Sequence, residues 1–191
     1  MQQELDIASF HIRFYTDSSI ANSADQSSQL GYIATLCDKF NRCNILSCRS
    51  YNSRRVVRSV MGAEVYAFAD GFDVAHMLRF DLESIMNRKL RLCILTDIKS
   101  LFDTTVKNSF ISEKRLMIEV QAAREAYQQL EILDIGHISG SNNPADGLTK
   151  PKTCLALVKL LTTGIMDHHI NQWVIRNNKS VFTSPSSLPC R

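Results

Sequence analysis

The sequence predicts an α/β fold in which a mixed five-stranded sheet, with its three antiparallel strands first, is flanked by helices. Three observations support this prediction. The N-terminal part holds three strand-like segments joined by short links, which is typical of an antiparallel meander. The hydrophobic period then changes to that of a long helix. Two further strand-like segments follow later in the chain, each after a helical segment, which makes the predicted sheet a mixed one.

The first three strands are predicted at residues 10–16, 30–37 and 43–48. In the first, apolar Phe10, Ile12 and Phe14 alternate with His11 and Arg13, which indicates a strand with one buried face. A polar segment separates this strand from the second. Residues 38–42 are turn-like and join the second strand to the third, so we expect the three to pair in order.

A long helix is predicted from about residue 54 onwards. Its apolar stripe is built largely of small residues, which would let the helix lie close to the sheet, and consists of Val60, Ala63, Ala67, Gly71, Val74 and Leu78. Glu64 lies beside this stripe. A buried carboxylate without a partner is costly, so Glu64 requires either a cation or an ion pair, for which Arg13 and Arg58 are candidates.

The second half of the chain alternates strands and helices. Strands are predicted at residues 90–96 and 132–138, and helices at 99–106, 113–130 and 154–161. Between the last strand and the last of these helices, Asn143 is predicted to be an N-cap with Pro144 at the first helical position. We expect one domain over residues 10–176, an N-terminal extension over 1–9 and a disordered tail over 177–191.

Composition and charge narrow the class of protein. A chain of 191 residues with 45% hydrophobic residues is typical of one globular domain. The 22 basic and 19 acidic residues give a net charge of +3, which permits a polyanionic partner. No apolar run is long enough to cross a bilayer, and the first residues do not resemble a secretion signal. We therefore expect a cytoplasmic protein without a membrane partner.

Four acidic residues stand where an acid contributes little to folding. Asp17 and Asp97 each end an apolar run, Glu64 lies on the apolar side of a helix, and Asp146 lies in the first turn of another helix. Asp17 and Asp146 are also compatible with ordinary turn or cap positions. Taken together, four acids from separate segments predict a carboxylate cage for a divalent cation such as Mg²⁺ or Mn²⁺.

Basic residues near these acids are candidates for contacts with nucleic acid. Four arginines precede Glu64, and Lys150 follows Asp146; the arginines are Arg49, Arg54, Arg55 and Arg58. Contacts of such residues with phosphate set affinity and position rather than sequence preference. A solvated helix end explains most of the arginines nearly as well, so both interpretations stay open.

The order of elements and acids resembles the ribonuclease H fold, with acids after strand one, in helix one, after strand four and in a late helix. The local motifs resemble more specifically the ribonuclease H domains of copia-like LTR retrotransposons, above all fungal ones. In chain order they are TDSS at 16–19, SSQLGY at 27–32, RRVVRS at 54–59 with AEVYA at 63–67, LTDIKSL at 95–101 and NPADGLTK at 143–150. Each motif alone is weak, and the ordered set makes the resemblance specific.

The resemblance implies a metal-dependent nuclease that cleaves the RNA strand of RNA/DNA hybrids and leaves 5′-phosphate and 3′-hydroxyl ends. Such enzymes use two Mg²⁺ ions roughly 4 Å apart. By resemblance Asp17 would bridge both ions, Asp146 would help hold the ion that activates water, and Glu64 and Asp97 would hold the other. Glu64 would also sense the RNA 2′-hydroxyl. The implied partner is the reverse transcriptase domain of the same Pol polyprotein, in a virus-like particle.

Two further points qualify this expectation. Cellular ribonucleases H carry a histidine in the loop before the last acid, and residues 140–143 are too few to hold one here. His137 lies on the preceding predicted strand, where a structural role is expected. The second hypothesis for function is a catalytically weak or inactive ribonuclease H-like module that acts as a nucleic-acid clamp or a structural connection. Integrase chemistry is disfavoured because Glu64 precedes Asp97 instead of coming last.

Overall fold

A single six-stranded sheet forms the centre of the molecule, in the order β3-β2-β1-β4-β5-β6. The computed structural model describes residues 3–20, 27–97, 99, 103, 114–132, 134–167 and 170–173, with side chains left undescribed at 170–173. The strands are β1 (His11–Ser19), β2 (Gln29–Cys37), β3 (Cys43–Asn52), β4 (Arg91–Thr96), β5 (Asp134–Ile138) and β6 (Ile170–Trp173).

The pairing of the strands confirms the predicted mixed sheet. β1, β2 and β3 pair antiparallel in chain order, whereas β1 pairs parallel with β4, and β4 pairs parallel with β5. β6 adds an antiparallel strand beside β5, which the sequence analysis did not predict. Its four residues lie at the sheet edge and offer too short a pattern for a prediction from periodicity.

Four α-helices are described: α1 (Val60–Met86), α2 (Met117–Gln128), α3 (Asp146–Thr149) and α4 (Leu155–Thr163). A 3₁₀ turn, Lys114–Leu116, leads into α2, so the helix predicted over 113–130 is confirmed, with its end two residues earlier, at Gln128. The helix predicted over 99–106 falls on a segment of which only Lys99 and Asp103 are described. The predicted tail over 177–191 lies outside the described residues.

Helix α1 approaches β1 closely because its contact positions carry small side chains. At Gly71, an added Cβ atom would lie 2.7 Å from Phe14 Cε1 and 2.9 Å from Thr16 Cγ2. Ala63 and Ala67 are buried as predicted, but the prediction for Val60 is wrong, since its side chain is 61% exposed. Val60 is the first residue of α1, and continuous burial of the helix begins only at Gly62.

The two faces of the sheet carry separate apolar cores. On the α1 side, Ile12 and Phe14 of β1 belong to the larger core. On the opposite side, Tyr15 packs with Leu95 of β4 and Leu160 of α4 in a smaller core. Successive residues of a strand face opposite sides, so Asp17 shares the face of Tyr15.

The described N-terminal residues 3–9, predicted as an extension, contact the rest of the domain. The Gln3 backbone N–H donates to Asn44 Oδ1 over 2.7 Å, and Gln3 Nε2 donates to the Thr163 carbonyl over 2.6 Å. Within the described part of the chain, no helix combines the length and the apolar character that a membrane span requires.

Candidate active site

Three of the four predicted acids meet at one end of the sheet. Because β1 and β4 are parallel and Tyr15 pairs with Leu95, Asp17 and Asp97, each two residues further on, come to the same end. Asp146 is the first residue of α3, which follows β5. Carboxylate oxygens of Asp17, Asp97 and Asp146 lie within 4.8 Å of one another. The fold thus brings together acids that are far apart in the sequence.

Glu64 approaches this triad from α1. Its side chain is buried, and its Oε1 accepts hydrogen bonds from the Ser18 backbone N–H (3.2 Å) and from Ser18 Oγ (2.7 Å). Glu64 does not join the triad within the same 4.8 Å limit. Of its two proposed ion-pair partners, Arg13 donates instead to the Met166 carbonyl and to Asn41 Oδ1. Ser18 holds Glu64 beside the triad.

The acids raise one another's pKa values. Burial, followed by the negative charge of Asp17, raises the pKa of Glu64 to about 8. Burial is also the main cause that raises the pKa of Asp17 to about 6, and the charges of Asp97 and Asp146 add to it. The pKa of Asp97 is raised chiefly by burial. Ionising this cluster without a bound cation is therefore unfavourable.

Two oxygens of the cluster have no hydrogen-bond partner among the described residues. They are Glu64 Oε2 and Asp97 Oδ1, and both are buried. Buried polar atoms are normally paired, so an unpartnered pair of carboxylate oxygens in one cluster points to a missing ligand. All donors are carboxylate oxygens, which hard divalent cations prefer. The residues present therefore fit a site for such a cation.

Two more groups contact Asp17, one from Thr149 at the end of α3 and one from Lys150, the C-cap residue that follows it. Thr149 Oγ1 donates a hydrogen bond to Asp17 Oδ2, and Lys150 Nζ lies 3.3 Å from Asp17 Oδ1 and also contacts Asp146 Oδ1. Burial alone would lower the pKa of Lys150, but its contacts with Asp146 and Asp17 raise it. Lys150, which was predicted to contact nucleic acid, thus contacts the carboxylates of Asp17 and Asp146 in this structure.

Gly31 allows α3 to come this close. It pairs with Asp17 across β1 and β2. An added Cβ atom at Gly31 would lie 2.9 Å from Thr149 Cγ2 and 3.1 Å from Leu148 Cβ. On the neighbouring strand, Ser50 Oγ donates to the Leu148 carbonyl over 2.5 Å. The absence of a side chain at Gly31 and the hydrogen bond from Ser50 together position α3 over the end of the sheet.

The loop before Asp146 is tied to β1 by Asn143. This fully buried side chain donates from Nδ2 to the Thr16 carbonyl (2.9 Å) and accepts at Oδ1 from the Ala145 backbone N–H (3.1 Å). The prediction of Asn143 as N-cap is wrong, because α3 begins at Asp146 with Ala145 at the N-cap position. Asn143 instead closes a turn and fixes that turn to the strand that carries Asp17.

His137 has a structural contact beside the site. Its Nε2 donates to the Asp97 backbone carbonyl over 3.1 Å, which requires the Nε2-protonated ring. The neighbouring turn, Gly140–Asn142, approaches Asp97 so closely that a Cβ atom at Gly140 would lie 3.1 Å from Asp97 Oδ2. This contact agrees with the structural role expected for His137.

Sequence reasoning missed three side chains that hold the acids: Ser18, Thr149 and the buried amide of Asn143. A signal existed for Thr149, since residues three apart on a helix share a face and Thr149 follows Asp146 at that spacing. Ser18 is adjacent to Asp17 but faces the other side of β1, where α1 carries Glu64. Only the packing of α1 on β1 reveals that contact.

Three of the four predicted arginines line a cavity of about 470 Å³ between β3 and α1, whose lining is Arg49, Tyr51, Asn52, Ser53, Arg54, Arg55, Tyr66 and Asp70. The Arg49 guanidinium lies 4.7 Å from the Tyr51 ring centre, and that of Arg55 lies 4.7 Å from the Tyr66 ring centre. Arg58 is exposed and does not line this arginine groove. The groove offers cationic and aromatic groups to a ligand.

No protein-family model matches the chain, and no curated protein matches it. Solved structures do match. The ribonuclease H1 of the archaeon Halobacterium salinarum NRC-1 has a TM-score of 0.54 at 16% identity, over 78% of this chain and 98% of its own. LC11-RNase H1, solved in complex with an RNA/DNA hybrid, has a TM-score of 0.55 at 16% identity, over 76% and 99%.

A third match is the N-terminal ribonuclease H domain of a Mycobacterium tuberculosis protein, with a TM-score of 0.51 at 16% identity, over 74% of this chain and 91% of that chain. Identity at this level shows the fold alone. The mixed sheet with its three antiparallel strands first, flanked by helices, is thus a ribonuclease H-like fold, as the sequence predicted.

Proposed function

We propose that the protein is a metal-dependent endonuclease that hydrolyses the RNA strand of RNA/DNA hybrids. The observation that carries the proposal is the meeting of Asp17, Asp97 and Asp146 within 4.8 Å, with buried Glu64 beside them, in a ribonuclease H-like fold. The likeness to LC11-RNase H1, which was solved with such a hybrid, supports the choice of substrate.

The four acids would hold two Mg²⁺ ions, or Mn²⁺ in their place, which when bound supply the charge that activates water and stabilises the leaving 3′-oxygen. Asp17 would be the shared ligand, because it belongs to the triad and its charge also acts on Glu64. Glu64 and Asp97 would contribute the oxygens that have no described hydrogen-bond partner. Thr149 and Ser18 would keep Asp17 and Glu64 in place.

Substrate binding would use the arginine groove and the residues around Glu64. Arg49, Arg54 and Arg55 would contact phosphates, and Arg58, one residue before the N-cap of α1, would extend that track. Such contacts set affinity and make it depend on salt concentration. Glu64 would sense the 2′-hydroxyl, the group that distinguishes RNA from DNA.

We propose the biological setting from the ordered motifs alone. The protein would act in the reverse transcription of a copia-like, fungal-type LTR retrotransposon, beside the reverse transcriptase domain of the same Pol polyprotein, in the cytoplasm or a virus-like particle. The motifs TDSS and NPADGLTK, which contain Asp17 and Asp146, support this assignment most directly.

Cleavage of an end-labelled RNA/DNA hybrid in Mg²⁺ and in Mn²⁺ tests the proposal. We expect metal-dependent cutting of the RNA strand by the wild-type chain, none on duplex DNA, and none by Asp97→Asn. A matched control is Asp81→Asn, which changes an exposed acid of α1 and should cut normally. Hybrid binding without cleavage, unchanged by Asp97→Asn, would instead support the clamp hypothesis.

A further inference from the structure

The proposed metal centre is already in contact with a positive charge of the chain itself. Lys150 Nζ contacts Asp17 Oδ1 at 3.3 Å and makes a second, shorter contact with Asp146 Oδ1. Lys152 is more distant, with its Nζ 3.8 Å from Asp146 Oδ2 and its side chain 69% exposed. Lys150 therefore joins two of the three acids that meet in the triad.

The ammonium and a metal ion would compete for the same acceptors. Asp17 uses Oδ2 to accept from Thr149 and Oδ1 to accept from Lys150, so a cation bound by Asp17 must replace one of these donors or share a carboxylate oxygen with it. A divalent cation that shared Oδ1 would lie within a few ångströms of the ammonium. Two cations at that separation repel each other, which disfavours their simultaneous binding.

The position of Lys150 allows it to leave without a change of fold. It follows the last residue of α3 as the C-cap, and its side chain is 30% exposed. Rotation about the side-chain bonds of a lysine is enough to carry its ammonium into solvent. Thr149, which donates the other hydrogen bond to Asp17, can stay in place.

We propose that Lys150 is a built-in competitor of the metal ion: it bridges Asp17 and Asp146 in the metal-free protein and is displaced when the metal binds. The displaced ammonium then becomes available to a phosphate of the nucleic acid. Lys150 is thus a positioning residue of the metal-free state rather than a metal ligand. The inference rests on the proposed metal centre and adds a form of regulation to it.

Calorimetric titration with Mn²⁺ alone tests the proposal on four folded proteins: wild type, Lys150→Met, Lys150→Arg and Lys152→Met. Because Lys150→Met lacks the competing charge, it should bind Mn²⁺ more tightly than the wild type, on the order of fivefold or more, which is a typical coupling between sites. Lys150→Arg keeps the charge and should remain near the wild type. Lys152→Met removes an exposed charge and should change binding less than about twofold.

Chemical labelling gives a second measurement that does not depend on activity. Acetylation of surface amines, followed by mass spectrometry, should modify Lys150 slowly in the metal-free wild type. Addition of Mn²⁺ should increase the labelling of Lys150 relative to that of Lys152, because displacement frees the ammonium. Labelling of Lys150 that is unchanged or reduced by Mn²⁺ would contradict the proposal.

The titration distinguishes failure of the competitor role of Lys150 from failure of the proposed metal centre. Tight Mn²⁺ binding by the wild type that is equal or weaker in Lys150→Met would overturn the competitor role and leave the metal centre intact. Absence of Mn²⁺ binding in both proteins would overturn the metal centre and with it the competitor role. Asp17→Asn identifies the site, since it should abolish Mn²⁺ binding in either background.

Discussion

The acid cluster, formed by Asp17, Glu64, Asp97 and Asp146, differs from the arginine groove in how its charges are compensated. In the groove, Arg49 stacks on Tyr51, and Arg55 stacks on Tyr66 and pairs with Glu119 at 2.5 Å. In the acid cluster, buried carboxylates raise one another's pKa values, and two of their oxygens lack a described partner. Much of the groove's charge is thus compensated within the fold, whereas ionisation of the acids is unfavourable unless a cation neutralises them.

The largest effect is expected from removing one charge of the acid cluster. Asp17→Asn should lower the single-turnover rate of RNA cleavage by roughly 10³-fold or more, because the acid that we propose as the shared ligand of both metal ions loses its charge. Quenched-flow cleavage of a labelled hybrid at saturating protein measures the rate. Asp81→Asn is the matched control. A rate for Asp17→Asn within tenfold of the wild type would contradict the assignment of this acid.

The second prediction concerns stability and pH in the absence of metal. The pKa of Glu64 in the folded protein, about 8, lies above its ordinary value of 4.5, so the folded protein keeps a proton that the unfolded chain has lost. The stability of the wild type should therefore fall as pH rises from about 4.5 to about 8, with Asp17 adding to the fall between about 4 and about 6.

Glu64→Gln should escape most of this fall. Above about pH 8 it should exceed the wild type in free energy of unfolding by on the order of 3 kcal/mol, and near pH 4 the two should be equal. Urea denaturation in EDTA at a series of pH values measures the difference. Equal pH profiles for the two proteins would show that Glu64 titrates normally and that the cluster is not strained by its charge.

Substitution of two neighbouring arginines of the groove distinguishes a role in nucleic-acid binding from a role in fold stability. Arg54 is exposed and makes no hydrogen bond or ion pair with the described residues, whereas Arg55 has Glu119 and Tyr66. Arg55→Ala should cost about 1 kcal/mol of stability, and Arg54→Ala should cost none. Both variants should reduce the slope of log affinity against log salt concentration for hybrid binding by about 1, the value expected for the loss of one phosphate contact.

Thermal unfolding and fluorescence anisotropy at several salt concentrations check these two variants. An unchanged salt dependence in both variants would show that the groove does not bind the nucleic-acid backbone. A loss of stability in Arg54→Ala would show that Arg54 also has a structural role.

A further effect on stability alone is expected inside the groove at Tyr51, whose hydroxyl donates to Asp70 Oδ2 over 2.9 Å. Tyr51→Phe should lower the free energy of unfolding by about 1 kcal/mol through loss of this hydrogen bond. Tyr66→Phe is the matched control, because the Tyr66 hydroxyl has no described partner and its ring still supports Arg55. Chemical denaturation of both variants measures the difference, and equal stabilities would show that the bond to Asp70 contributes nothing.

The sequence predicted what local patterns encode. Asp17 and Asp97 were recognisable because each ends an apolar run of the sequence, and Glu64 because it interrupts an apolar helix face. Asp17, Asp97 and Asp146 do come together at one end of the sheet, and buried Glu64 lies beside them. The arginine groove was only partly predicted, since Arg58 is close in sequence to Arg54 and Arg55 but does not line the cavity.

What the sequence did not predict depends on contacts between distant elements. The contact of Lys150 with Asp17 requires α3 to lie on β2, which in turn requires Gly31 to lack a side chain. Periodicity describes one element at a time and carries no information about such a contact. The exposure of Val60 and the position of Asn143 one turn before α3 were missed for the same reason.

The hydrogen bond between Thr149 and Asp17 joins residues 132 positions apart. Contacts of such long sequence separation require the closure of a long loop and form slowly during folding. A chain in which α3 has not yet docked on the sheet therefore has no complete group of acids, whatever strands it has formed. Metal affinity should accordingly appear only after α3 has docked, so a nascent or partly unfolded chain lacks the proposed metal centre.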